Sequence, residues 1–291
     1  MIRQPLAYQN RREEYLMKVP KRLEPLLQDG LIDEVLGQLM SGKESEVFLV
    51  RCGRETRCAK VYKEIQHRSF HKQTQYTEGR KVRNSRRSRA MGKHSRFGRK
   101  EQEEVWQNAE GDALRDLAAA GVRVPATYGF SEGVLIMELV VDGDGAVAPR
   151  LNDLGLSETL AREYHHLLID QVVLMLCAGL IHGDLSEFNI LLAGDGPVII
   201  DLPQVIDAAA NNNAKRLFTR DVDNLATYFG KFAPELLATD FAAEIWHLYE
   251  TGDLQPGMPL SGQFKPIETA VDEGLIMREI DDAREEAMAR F

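Results

Sequence analysis

The run His182-Gly183-Asp184-Leu185-Ser186-Glu187-Phe188-Asn189 is followed at a distance by Asp201. A carboxylate, an amide five positions on and a second carboxylate twelve positions later form the set that phosphoryl transfer needs. Asp184 is placed to orient an attacking hydroxyl and accept its proton. The oxygens of Asn189 and Asp201 suit magnesium, which takes few hard protein ligands and keeps waters. A lone His-Gly-Asp would read equally well as a polar turn before a hairpin; the joint spacing argues against that. Upstream, Lys60 stands in Cys58-Ala59-Lys60-Val61-Tyr62, a strand otherwise fit for burial. A buried ammonium needs a partner, and Glu110 on the next helix is the best candidate, leaving Lys60 for the α- and β-phosphates.

The elements that must position these residues follow from local pattern. Residues 1–33 are charged and proline-containing, and read as a loosely ordered arm or a short leading helix. Three short β-rich runs, 35–42, 45–53 and 54–63, read as consecutive antiparallel strands. Apolar spacing predicts a helix over 100–120 that ends at Gly121, then strands at 122–130 and 133–141. The turn-rich stretch 142–150 makes a boundary between lobes, giving an N-lobe over 34–142 and a C-lobe over 143–291. In the second half a long helix is expected over 157–179, a hairpin about the Gly194-Asp195-Gly196-Pro197 turn, and helices at 220–232 and 241–249. Residues 268–291 form an acidic, helix-prone tail. The fold class expected is α+β and bilobal, a small β-rich lobe and a larger helical one enclosing a cleft.

At 291 residues with 44% hydrophobic and 28% charged, the chain has the balance of a globular protein. Its net charge of −9 argues against a uniform coat for nucleic acid, but the mean conceals one segment. Residues 79–100 hold ten Lys or Arg and no acid, so the rest of the chain carries −19. So dense a run resists compact packing. Either it is a solvated insertion (66–100), or it docks on RNA or a ribosomal particle through phosphates, or it is ordered by nucleotide and self-phosphorylated at Ser85, Ser88 or Ser95. Three cysteines without metal spacing, no signal-peptide core and no long apolar run point to a cytoplasmic chain without a membrane span. His165-His166, Met137, Trp106 and Trp246 read as packing residues rather than chemistry.

On these residues the chain resembles the RIO family of atypical protein kinases. Ser41-Gly42-Lys43-Glu44-Ser45-Glu46-Val47-Phe48 is similar to its phosphate-loop signature, Ala59-Lys60-Val61-Tyr62 to its nucleotide-lysine strand, and Trp106 to Glu110 to its Glu-bearing helix. Leu135 to Val140 with Ala148-Pro149-Arg150-Leu151 resembles the hinge and its exit, His182 to Leu191 the catalytic loop, and Ile200-Asp201-Leu202-Pro203-Gln204 the metal-binding segment. The likeness runs from about Glu34 to Phe232 and is nearer the branch without an N-terminal winged helix, or a bacterial-type relative. It implies Asp184 as base, Asn189 and Asp201 as ligands of Mg2+ or Mn2+, and Lys60, positioned by Glu110, on the phosphates of ATP. It also implies Ser41, Lys43, Ser45 and Val47 around the nucleotide, and Glu138 and Val140 offering hinge backbone to adenine. The implied substrate is a protein or the chain itself, with serine or threonine as acceptor. In this family the residue matching Asp201 can itself take the phosphate, so an ATPase switch in ribonucleoprotein assembly is the first alternative. A small-molecule kinase of aminoglycoside or choline type shares H-G-D-x5-N and is the second. A non-catalytic RNA-binding pseudokinase is disfavoured by the full residue set.

Two departures from ordinary protein kinases stand out. His182-Gly183-Asp184 and Asp201-Leu202-Pro203 replace H-R-D and D-F-G, and only 20 positions separate Asp201 from Asp221, leaving a reduced activation segment. Ala233-Pro234-Glu235 spells A-P-E but follows the Arg220-Asp221 helix it should precede, and is read as a coincidence.

Overall fold

A computed structural model describes residues 19–63 and 109–264. The basic insertion with Ser85, Ser88 and Ser95, the acidic tail and residues 1–18 lie outside the described residues. Three strands, β1 (Glu34–Ser41), β2 (Ser45–Cys52) and β3 (Glu55–Tyr62), meander as expected. They join β4 (Thr127–Ser131) and β5 (Val134–Glu138) in a sheet of order β1-β2-β3-β5-β4, with antiparallel neighbours throughout. Strand alternation gives the sheet two different faces. Phe48, Val50, Ala59 and Val61 pack with Leu23, Leu26 and Ile32 on one face, while Val47, Leu49, Cys58 and Met137 cluster on the other.

The segment before β1 contains the short helix α1 (Glu24–Gln28), with Pro25 in its first turn. Five residues are too few for a helix stable in water, so packing holds it. Leu23, Leu26 and Ile32 are almost fully buried, worth roughly 2 kcal/mol each. Residues 19–33, read from sequence as a loosely ordered arm or a short leading helix, thus contain a short helix and cover one face of the sheet. A second helix, α2, occupies residues 109–119 of the described chain and buries Ala113, Leu114 and Leu117 beside Tyr62 and Leu135.

The strand expected over 122–130 begins only at Thr127. Arg123 gives its N–H to the Gln171 side chain at 2.6 Å and accepts from Ile199 through its carbonyl, and Pro125 has no N–H to give. These backbone groups are satisfied by the helical lobe instead of by the sheet.

That lobe is built on α3 (Glu158–Cys177), capped by Ser157 and burying Ala161, His165, Leu168, Ile169, Val172, Val173, Met175 and Leu176 along one stripe. Next come β6 (Leu180–Ile181), a hairpin of β7 (Ile190–Ala193) and β8 (Gly196–Ile199), and β9 (Ile206–Asp207) paired to β6. Helices α4 (Ala214–Phe229) and α5 (Phe241–Thr251) complete the lobe. α4 starts six residues earlier than the sequence reading placed it, because Ala214, Leu217 and Phe218 lie on the same buried stripe as Val222 and Leu225. The hairpin turn touches the interlobe connector so closely that a Cβ on Gly194 would sit 2.9 Å from Gly143. The α+β, two-lobe architecture stands. No helix among the described residues is long and apolar enough to cross a membrane.

Candidate active site

Alternation along β3 sends Cys58, Lys60 and Tyr62 to one face of the sheet. The Lys60 ammonium donates to Glu110 Oε1 on α2 at 2.7 Å and to Asp201 Oδ1 at 2.8 Å. The Tyr62 hydroxyl donates to the other Glu110 oxygen. Glu110 and Lys60 side chains are 2% and 8% exposed, whereas Asp201 is 47% exposed. Burial works against the Lys60 ammonium, but the two carboxylates outweigh it and raise its pKa. The same ammonium holds the Asp201 carboxyl below its ordinary value, with burial opposing. Asp201 has φ +65°, a left-handed conformation that Asp tolerates better than most side chains.

The lower half of the cleft is the loop between β6 and β7. Its backbone is fixed from below by Asp221 on α4, whose two oxygens accept from the Gly183 N–H at 2.7 Å and the Leu185 N–H at 3.1 Å. Asn224 donates to the Leu185 carbonyl, and buried His182 reaches the Ile200 carbonyl through Nε2. Gly183 has φ +79°, which explains glycine where ordinary kinases carry arginine. Arg220 reaches the Gly183 carbonyl and lies 3.9 Å from Asp184 Oδ1. Asp221 is buried, and that burial pushes its carboxyl up to about 6 against the pull of His182 and the Gly183 N–H. The sequence reading assigned no role to Asp221, Arg220 or Tyr62. The available signals were a carboxylate on the apolar stripe of α4 and a tyrosine two residues beyond Lys60.

Asn189 donates through Nδ2 to the Asp184 carbonyl at 2.9 Å, so the amide oxygen is the atom it offers outward. Asp201 keeps Oδ2 beyond the contact with Lys60. Two hard oxygens of this kind fit Mg2+ or Mn2+ better than a soft metal. Among the described residues no cluster of three His, Cys, Asp or Glu forms a metal cage. His165 is buried against Phe229 and Phe241, and burial lowers its pKa to about 4; His166 faces Asp170.

Around the turn joining β1 to β2, Ser41 at the end of β1 and Lys43 in the turn are exposed, while in β2 Ser45 is half-buried and Val47 buried, the last paired directly with Lys60. Ser41 donates to Glu46, and Lys63 ties the turn down by donating to the Gly42 carbonyl at 2.7 Å. Among the described residues, the ion-pair partner of both Asp201 and Glu110 is Lys60 and not Lys43. At the hinge, the Glu138 side chain accepts two bonds from Arg123, at 2.8 and 3.0 Å, and one from the Ala126 N–H. The Val140 carbonyl accepts from Ala148. Glu138 and Val140 thus sit in a connector braced from both lobes. Asp201 to α4 is spanned by β9 and short turns, and Ala233-Pro234-Glu235 follows α4, with Glu235 paired to Arg162.

Comparison with known proteins gives one family. The RIO domain family model matches residues 46–242. The RIO-type serine/threonine-protein kinase Rio1 of Haloferax volcanii is 32% identical over 210 residues, covering 70% of this chain and 66% of the relative. The serine/threonine-protein kinase RIO1 of Homo sapiens is 29% identical over 206 residues, 70% of this chain and 34% of the human protein. The match therefore spans just under two thirds of the archaeal relative's length and about one third of the human one. Among solved structures, the Rio2 kinase-ADP/Mg2+-phosphoaspartate complex of Chaetomium thermophilum superposes with TM-score 0.49 at 19% identity, over 80% of this chain and 74% of that one. With a match over most of its length, the chain belongs to the RIO domain family.

Proposed function

We propose that the chain is an ATP- and Mg2+-dependent serine/threonine protein kinase of RIO type, with lobes dividing near residues 142 and 143. The observation that carries this reading is the Lys60 ammonium, held at 2.7 Å by Glu110 and at 2.8 Å by Asp201. It presents positive charge beside the loop of Asp184 and Asn189. In this reading Lys60 binds the nucleotide's phosphates and Glu110 keeps it in place. The half-exposed Asp184 carboxylate orients the acceptor hydroxyl and takes its proton. A magnesium ion held by Asn189 and Asp201 would neutralise phosphate charge. Ser41, Lys43, Ser45 and Val47 cover the nucleotide, and the Glu138 and Val140 backbone meets adenine.

Incubation with γ-labelled ATP and Mg2+ tests the reading. The parent chain incorporates acid-stable label on serine or threonine, and Asp184→Ala cuts incorporation about 10³-fold while nucleotide binding survives. Full activity in that variant sinks the assignment. A second reading, ATP hydrolysis through an aspartyl phosphate, is favoured by one observation. Lys60 holds the pKa of the Asp201 carboxyl down, and the side chain is half-exposed, as a nucleophile must be. Label released by hydroxylamine and mapped to Asp201 identifies it. We further propose that residues 79–100 dock on RNA phosphates, which predicts binding that falls steeply with salt.

A further inference from the structure

Arg150 closes the interlobe connector. Its backbone bridges to Leu191, and the carbonyl before it, on Pro149, accepts from the Leu192 N–H at 2.9 Å. The residue is therefore fixed to β7, two positions beyond Asn189 along that chain. Its half-buried side chain leaves the lower lobe and crosses the mouth of the cleft to Met40, with Nη2 2.7 Å from the sulfur. Met40 is the penultimate residue of β1, at the turn that carries Ser41 and Lys43.

A thioether is a weak acceptor for a group with five N–H donors and a permanent charge. Among the described residues no carboxylate lies within ion-pair distance of Arg150. A cation parked on sulfur at the upper-lobe turn, its backbone tied to the strand two positions beyond Asn189, is matched to an oxyanion brought in by a ligand. We infer that Arg150 is a further nucleotide-binding residue, exchanging the Met40 sulfur for a phosphate oxygen of ADP or ATP when either enters the cleft. The inference rests on the nucleotide-binding reading above. It adds to it a lower-lobe cation opposite Lys60, so that the phosphates are held from both sides of the opening.

Binding of ADP and of adenosine, each with Mg2+, to the full chain and to Arg150→Ala separates the possibilities. ADP affinity falls about tenfold in the variant and adenosine affinity stays within about twofold, because only ADP carries the oxyanion. Arg150→Lys recovers part of the loss, and Met40→Ala leaves ADP affinity intact, since the sulfur is only the resting partner. Equal weakening of ADP and adenosine, or a Met40→Ala loss as large as that of Arg150→Ala, overturns the inference in favour of a strap between lobes. ADP affinity unchanged in Arg150→Ala overturns it alone. A parent chain that binds no ADP overturns the nucleotide reading, and this inference with it. Thermal unfolding of each variant beside the parent shows whether lost binding is lost folding, in which case the Lys and Met40 variants decide.

Discussion

The two walls of the cleft hold their charges in opposite ways. In the upper wall, Lys60 and Glu110 are buried and Tyr62 completes the knot, so the pair is satisfied without any ligand. In the lower wall, the Asp184 and Asp201 carboxylates are about half exposed, and the buried carboxylate is Asp221, which faces backbone N–H groups. One wall fixes a cation by burying its partner. The other leaves two carboxylates half exposed and buries a third that holds the Asp184 loop. Burial therefore separates Glu110 and Asp221, which hold their neighbours in place, from the half-exposed Asp184 and Asp201.

The sharpest way to break this contrast is to remove the buried partner. Glu110→Ala leaves the Lys60 ammonium buried with only Asp201 at the cleft edge, and takes the acceptor from the Tyr62 hydroxyl. Breaking a buried pair on one side costs about 3–5 kcal/mol. Urea unfolding should show that loss, and Glu110→Gln, which keeps an acceptor oxygen, should lose less. A loss below about 1 kcal/mol would mean that the knot contributes no more than a surface pair.

Asp221 gives the next largest effect, and one with a pH signature. Its carboxyl moves from 3.8 to about 6 on folding, so the folded state binds that proton more tightly. The stability it contributes is fully present below about pH 4 and is lost as pH rises through about 6. Over that window the loss amounts to roughly 3 kcal/mol. Asp221→Asn removes the titration, so its stability relative to the parent should improve by roughly that amount between pH 4 and pH 7.5. Phosphate transfer, in the proposed reading, should nonetheless fall, because the two N–H groups now bond separate Asp221 oxygens and the Asn NH2 would face one of them. A pH-independent stability difference would refute the buried-carboxylate account.

The same contrast explains what could be read from the sequence. Lys60, Glu110, Asp184, Asn189 and Asp201 could be singled out because phosphoryl transfer would need fixed residue types at fixed spacings, and the structure brings Lys60, Glu110 and Asp201 into contact. The strands were legible from alternation, and α3 from its stripe and its Ser157 cap. Asp221 was not assigned a role, since a carboxylate on an apolar helix face acquires meaning only when Gly183 and Leu185 arrive from 38 and 36 positions away. Residues 122–126 were misread as strand because Val122 and Val124 have the right apolar pattern. Between them, Arg123 takes its backbone partners from Gln171 and Ile199 in the other lobe. The packing of Leu23, Leu26 and Ile32 on the sheet was hidden for a similar reason: proline and charge around them look like a loose arm until the apolar face they cover is known.

The smallest effect tests the exposed side of the comparison. Asp201→Asn removes the charge of the second partner of Lys60 and keeps an acceptor oxygen, and at 47% exposure water screens that pair. The expected stability loss is below about 1 kcal/mol, several times less than for Glu110→Ala on the same lysine. Asparagine also tolerates the φ of +65° found at this position. Asp201→Ala deletes the same charge and adds backbone strain, so it should cost about 1 kcal/mol more than the Asn variant. Asp201→Gly deletes the charge while relieving φ. If Ala and Asn variants unfold at the same urea concentration, the left-handed backbone at Asp201 carries no cost. If Asn loses as much as Glu110→Ala, the division between a buried organising pair and a half-exposed carboxylate fails.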